Sequence, residues 1–125
     1  MTIDNSHLIF VIEDDEGVRH STCILLEALG YTARPFASAE ALLEAPDGPA
    51  PDCLVLDYNL PGLSGMDLID LLRSRGMNVP AIIVSANGRH LAARASRAGV
   101  AAVLRKPLAA DALAQWLEQI LSTRQ

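Results

Sequence analysis

The chain has no long apolar run, no paired cysteines and almost no lysine. Its apolar runs fall far short of the roughly 18 residues a membrane helix needs. Met1 is followed by Thr2-Ile3-Asp4-Asn5, which is neither the basic stretch nor the apolar core of a signal peptide. Cys23 and Cys53 show no Cys-x-x-Cys or metal-type spacing, so both read as reduced, buried small side chains. Ten Lys and Arg face 15 Asp and Glu, a net charge of -5. Such a balance repels phosphate backbones and argues against direct binding of nucleic acid. No low-complexity tract and no full-length repeat is visible. These absences lead us to expect a cytoplasmic protein with no membrane contact. With 125 residues, half of them hydrophobic, the chain suits one domain over residues 1–125 with its core at about 7–121. A chain of this length buries about two-thirds of its unfolded surface and needs no disulfide or metal to fold.

What is present is a repeated alternation. Short apolar runs (Leu8-Ile9-Phe10-Val11-Ile12, Leu54-Val55-Leu56, Ala81-Ile82-Ile83-Val84 and Ala102-Val103-Leu104) alternate with segments of helical period. That order predicts βα units around a mostly parallel sheet, its strands apolar throughout because both faces are covered. Thr32 to Phe36 reads as a weaker second strand. The first helix starts near Glu16, with Asp15 or Glu16 at its N-terminus. It has Val18, Thr22, Leu25, Leu26 and Leu29 as the expected inward stripe and Gly30 as its stop. Ser38 can cap a short helix through Leu43. Pro46-Asp47-Gly48-Pro49-Ala50-Pro51 reads as a surface loop. A third helix is expected over 66–75, ended by Gly76, and an alanine-rich fourth over 89–98, ended by Gly99. The last helix carries Leu113, Trp116, Leu117, Ile120 and Leu121 inward. Five strands and five helices result, an α/β fold.

Each main run ends in chemistry. The first ends in Glu13-Asp14-Asp15, the second in Asp57, the third in Ser85 and the fourth in Arg105-Lys106-Pro107, whose lysine is the only one in the chain. Ligands of open α/β sheets bind beyond the carboxyl ends of strands. If the first two of these runs are neighbours, Glu13, Asp14 and Asp57 meet. Their mutual repulsion is then relieved by a hard divalent cation such as Mg2+, which takes oxygen ligands. Asp57 can attack phosphorus, Lys106 can neutralise a phosphoryl oxygen, and Ser85 can donate a hydrogen bond to one. Taken singly, each residue has an ordinary reading as a cap, a turn acid, a turn hydroxyl or a solvated cation. The ordered set is what points to a site.

That set resembles the receiver domains of two-component response regulators. The resemblance rests on Glu13-Asp14 after Val11-Ile12, on Asp57 with Asn59, Pro61 and Gly65 behind it, and on Ser85-Ala86, Ala98-Gly99 and Lys106-Pro107. It spans about His7 to Leu121. It implies a flavodoxin-like, doubly wound five-stranded sheet of order 2-1-3-4-5, an order of which a chemotaxis receiver is a known example. It also implies that Asp57 accepts a phosphoryl group, as 4-aspartylphosphate, from a phosphohistidine of a sensor kinase or histidine phosphotransfer protein. Asp14, Glu13 (through water), Asp57 and the Asn59 carbonyl would hold Mg2+. Ser85 would be the switch hydroxyl, and Lys106 would bond the phosphoryl oxygens beside a cis Lys106-Pro107 peptide, which proline makes accessible. Asn59 and Asn87, two residues beyond Asp57 and Ser85, would tune dephosphorylation. Output would be altered binding to a downstream effector, with no enzyme activity beyond the domain's own phosphorylation and dephosphorylation.

Two departures stand out. The fifth strand holds Val103 where receivers usually carry an aromatic switch residue, and Leu108 stands where a phenylalanine usually follows Lys-Pro. Val103 is the best support for an alternative, a degenerate receiver that binds partners without phosphorylation. A haloacid dehalogenase-type phosphatase is disfavoured because Asn59 stands where that family places a second acid. On the expected fourth helix, His90, Arg94 and Arg97 lie at i, i+4 and i+7 and could dock a partner.

Overall fold

Period-two alternation in the strands divides their side chains between two helical layers. The structure, a computed structural model, describes residues 7–45 and 48–122. The segment at 1–5, the loop positions Pro46 and Asp47, and residues 123–125 lie outside the described residues. In chain order the elements are β1 (Leu8–Ile12), α1 (Glu16–Ala28), β2 (Thr32–Phe36), α2 (Ala39–Leu43), β3 (Cys53–Asp57), α3 (Gly65–Ser74), β4 (Ala81–Ser85), α4 (Ala92–Arg97), β5 (Val100–Arg105) and α5 (Ala110–Ser122). The strands form one parallel sheet of order β2-β1-β3-β4-β5. This is the flavodoxin-like arrangement, with the acids of β1 and β3 on neighbouring strands.

Phe10, Ile12, Leu54, Leu56 and Ile83 pack against Leu42 of α2, Met66 and Ile69 of α3, and Ala95 of α4. The alternate residues Ile9, Val11, Val55, Ile82 and Val84 pack against Leu26 of α1 and Leu113, Leu117 and Ile120 of α5. Every residue of β3 and β4 is buried, as the continuous apolar runs require. Asp15 caps α1 by accepting the Val18 N–H at 2.9 Å. Ser38 and Ser64 cap α2 and α3 in the same way. Gly30, Gly76 and Gly99 follow their helices with positive φ, where a side chain would be strained.

Four expectations need correction. Val18 is 48% exposed rather than inward. It lies in the first turn of α1, at the carboxyl edge of the sheet, where a cleft rather than the sheet faces it. Leu29, expected on the same stripe, is the exposed C-cap of α1. Cys23 and Trp116 are half-buried at the margins of the core, while Cys53 is fully buried. The fourth helix is not continuous over 89–98. A 3-10 turn, Arg89–Leu91, leads into the shorter α4.

Candidate functional site

The carboxyl ends of β1, β3, β4 and β5 meet around a cleft of about 630 Å3. Glu13, Asp14 and Asp57 place carboxylate oxygens within 4.8 Å of one another. Glu13 and Asp57 are 8% and 4% exposed, whereas Asp14 is open to solvent. Burial raises the pKa of the Glu13 carboxyl, and the Asp57 charge adds to the effect; the hydrogen bond from the Asp15 N–H opposes both. Three carboxylates this close repel, and the donor set is all hard oxygen, which is the chemistry Mg2+ takes.

Lys106 answers part of that charge. Its Nζ donates to Asp57 Oδ2 at 2.9 Å. Partial burial alone would lower the lysine pKa, but the Asp57 bond and the charges of Asp57, Glu13 and Asp14 outweigh it, so the ammonium is held. The other Asp57 oxygen, Oδ1, accepts the Asn59 N–H at 3.1 Å. The nucleophile is therefore held at both oxygens. Lys106 reaches the site because β5 pairs with β4, with Ser85 opposite Arg105 and the Lys106 N–H on the Ser85 carbonyl at 3.0 Å. The Lys106-Pro107 peptide is cis.

Ser85 is 2% exposed, and its hydroxyl accepts the Asn87 N–H at 3.3 Å. Asn59 lines the main cleft. Asn87 lines a separate surface cavity with Gly88, Ala92, Val103 and Arg105. Val103 is half-buried and touches the loop after β4 at Gly88, where a β-carbon would lie 2.5 Å from its Cγ1.

His90, Arg94 and Arg97 do not share a free basic face. His90 lies in the 3-10 turn, its ring edge against Tyr58 at 5.7 Å between centroids. Arg94 crosses to α3, bonding Asp67 at 3.0 Å and Asp70 at 2.6 Å. Its positive charge is thus spent within the fold. A second arginine adds to that junction, since Arg73 of α3 donates to the carbonyls of Ala98, Gly99 and Met77.

Residues not singled out in the sequence also build the site. Arg19 Nη1 donates to the carbonyls of Glu13 at 3.0 Å and Asp14 at 3.4 Å, which fixes the acidic turn. A long side chain one turn into α1 was the only signal for it. Gly65 brings α3 against β3: a β-carbon there would lie 2.6 Å from the Asp57 carbonyl oxygen and 3.0 Å from Tyr58 Cα.

The sequence matches the family model described as the response regulator receiver domain over residues 9–118. It is 37% identical over 100 residues to the transcriptional regulatory protein FixJ of Azorhizobium caulinodans, covering 79% of this chain and 47% of that protein. The chain thus spans about half the length of the curated relatives it matches. Its fold superposes on full-length FixJ from B. japonicum with a TM-score of 0.84 at 31% identity, covering 94% of this chain and 58% of the other. It also superposes on the non-phosphorylated HemR receiver domain of Leptospira biflexa with a TM-score of 0.85 at 25% identity, covering 96% and 98%. Among the described residues no helix is long and apolar enough to cross a membrane.

Proposed function

The chain belongs to the response regulator receiver family of two-component signalling, and from that premise we propose that Asp57 accepts a phosphoryl group in a Mg2+-assisted phosphorelay. The observation that carries this reading is the pairing of a nearly buried Asp57 with Lys106 at 2.9 Å beside two further carboxylates. Glu13, Asp14, Asp57 and the Asn59 backbone carbonyl are the groups that would hold the ion. When bound, Mg2+ supplies positive charge to the carboxylates and to the phosphoryl oxygens.

The chain's own residues do the rest. An Asp57 oxygen attacks phosphorus, and the donor's leaving group departs with the electrons of the broken bond. Lys106 exchanges part of its bond to Asp57 for one to the incoming phosphoryl oxygens. Ser85 turns its hydroxyl from the Asn87 N–H toward a phosphoryl oxygen. Phosphorylation adds roughly -1.5 to -2 charge, which biases the loop after β4 between two arrangements. Asn59 and Asn87 flank the approach of a hydrolytic water and set the lifetime of the acyl phosphate. Unchanged decay in a variant altered at both positions would remove them from that role.

The donor in this reading is a phosphohistidine of a sensor kinase or histidine phosphotransfer protein, in the cytoplasm, and the output is binding to an effector protein. Residues 7–121 form the receiver unit, and its only catalysis is of its own modification. The test is intact mass after incubation with acetyl phosphate and Mg2+. An adduct of about 80 Da, the mass of one phosphoryl group, appears on the wild type and is absent from Asp57→Ala. An adduct that survives Asp57→Ala contradicts the assignment.

A further inference from the structure

The cleft is larger than phosphoryl chemistry requires, and half of it is built from the wrong kind of residue for that chemistry. A phosphoryl group, an ion and its waters amount to about eight water-sized bodies, at ~30 Å3 each. They would fill less than half of the 630 Å3 present. The remainder lies between α1 and the turn that leads to α5. Val11, Val55 and Val84 face it, 1%, 3% and 7% exposed and backed by the α1 and α5 core. Val18, Thr22 and Leu108 line it alongside them. None of these six side chains carries a charge. A smaller cavity of about 240 Å3 shares Val18, Thr22 and Leu108 and extends the apolar wall along α1.

Leu108 has a direct part in this. A leucine is smaller than the phenylalanine that the sequence comparison led us to expect there, and the cavity lines up against it. The half-exposed Val18 also fits: an apolar side chain at the mouth of a cleft gains by being covered. A cavity of a few hundred Å3, mostly apolar and with a few convergent polar groups at one end, has the form of a small-molecule site.

We propose that the cleft binds small organic anions with a phosphoryl-type head and a compact, ring-sized apolar group. The head meets Lys106 and the cation held by Glu13, Asp14 and Asp57, while the ring lies over Val11, Val55 and Val84 between Val18 and Leu108. The assignment rests on the phosphoryl-acceptor reading of the same site, because without an added cation the three carboxylates outweigh Lys106 and repel the head. Small phosphodonors with an apolar leaving group are thereby favoured over those without one.

The test is an amide NMR titration of the intact chain in Mg2+ with phenylphosphonate and with methylphosphonate. The wild type is compared with Leu108→Phe, which fills the annex, and with Val18→Asp, which charges its mouth at an exposed position. In the wild type the phenyl compound binds about tenfold more tightly, the part of its area-based gain that survives the cost of ordering. It shifts the amides of Val18, Thr22 and Leu108. In both variants the two compounds bind alike, and methylphosphonate binding is unchanged. Equal affinities in the wild type, or a phenyl preference that persists in both variants, overturn the annex while leaving the phosphoryl reading intact. Failure of methylphosphonate to shift the amides of residues 57–59 and 106 in any of the three proteins overturns the phosphoryl reading, and the annex with it.

Discussion

Gly88 and Val103 meet so closely that a β-carbon on residue 88 would stand 2.5 Å from Val103 Cγ1. The loop after β4 is thus seated on β5 by a glycine-valine contact. The same loop supplies the Asn87 N–H to the Ser85 hydroxyl, so its seat helps to set that hydroxyl. Gly88→Ala is expected to lower stability by about 1–3 kcal/mol through overpacking and to slow phosphorylation of Asp57. Adding Val103→Ala should recover most of both losses, giving a clear coupling in a double-mutant cycle by denaturant unfolding. Strictly additive effects would show that the contact is incidental.

Gly65 has a harder constraint, because its neighbours are backbone. Gly65→Ala sets a methyl group against the Asp57 carbonyl oxygen at 2.6 Å, and neither side can rotate away. We expect a loss of about 1–3 kcal/mol, together with reduced phosphoryl acceptance, because the Asp57–Asn59 turn must shift. Urea unfolding and adduct yield check the two effects. A wild-type midpoint would mean that α3 can recede without cost.

The bridge from Arg94 to Asp67 and Asp70 joins α4 to α3 on the surface. Hydrogen bonds from Arg94 and the Ser64 hydroxyl lower the pKa of Asp67. A carboxyl whose folded pKa is depressed adds stability above its unfolded pKa and loses it as pH falls through the folded value. Arg94→Ala should therefore melt slightly below the wild type near neutral pH, with the gap closing in acid and at high salt. Thermal melts across pH give the comparison. A gap that stays constant into acid would assign the effect to packing rather than charge.

The fold was legible because the strand signals are strong and the helices are punctuated. Asp15, Ser38, Gly30, Gly76 and Gly99 mark ends that the structure retains. The site was legible because its acids and Lys106 each close an apolar run. Periodicity alone could not show where α1 overhangs the sheet. Thus Val18 looked like core, although only Thr22 and Leu26 of that helix are buried. Nor could it show that Arg94 is consumed by α3, a contact 24 to 27 residues away. Close backbone approaches at Gly65 and Gly88 leave no sequence pattern beyond the glycine itself. The corrected phase of α1 predicts a cost of about 2–5 kcal/mol for Leu26→Ala and within about 0.5 kcal/mol for Val18→Ala, both read by urea unfolding. The reverse ranking would restore the stripe read from the sequence.

The central claim is that gathered carboxylates and one ammonium make Asp57 a phosphoryl acceptor. Its most direct measurement is the intact-mass adduct yield of wild type, Asp14→Ala and Lys106→Ala after acetyl phosphate treatment, each with Mg2+ and with a chelator. The account predicts an adduct on the wild type only with Mg2+ present. In the same time the two variants should give a yield lower by about 100-fold, the scale of losing one charge-stabilising group. Equal adducts on all three proteins in chelator would contradict it.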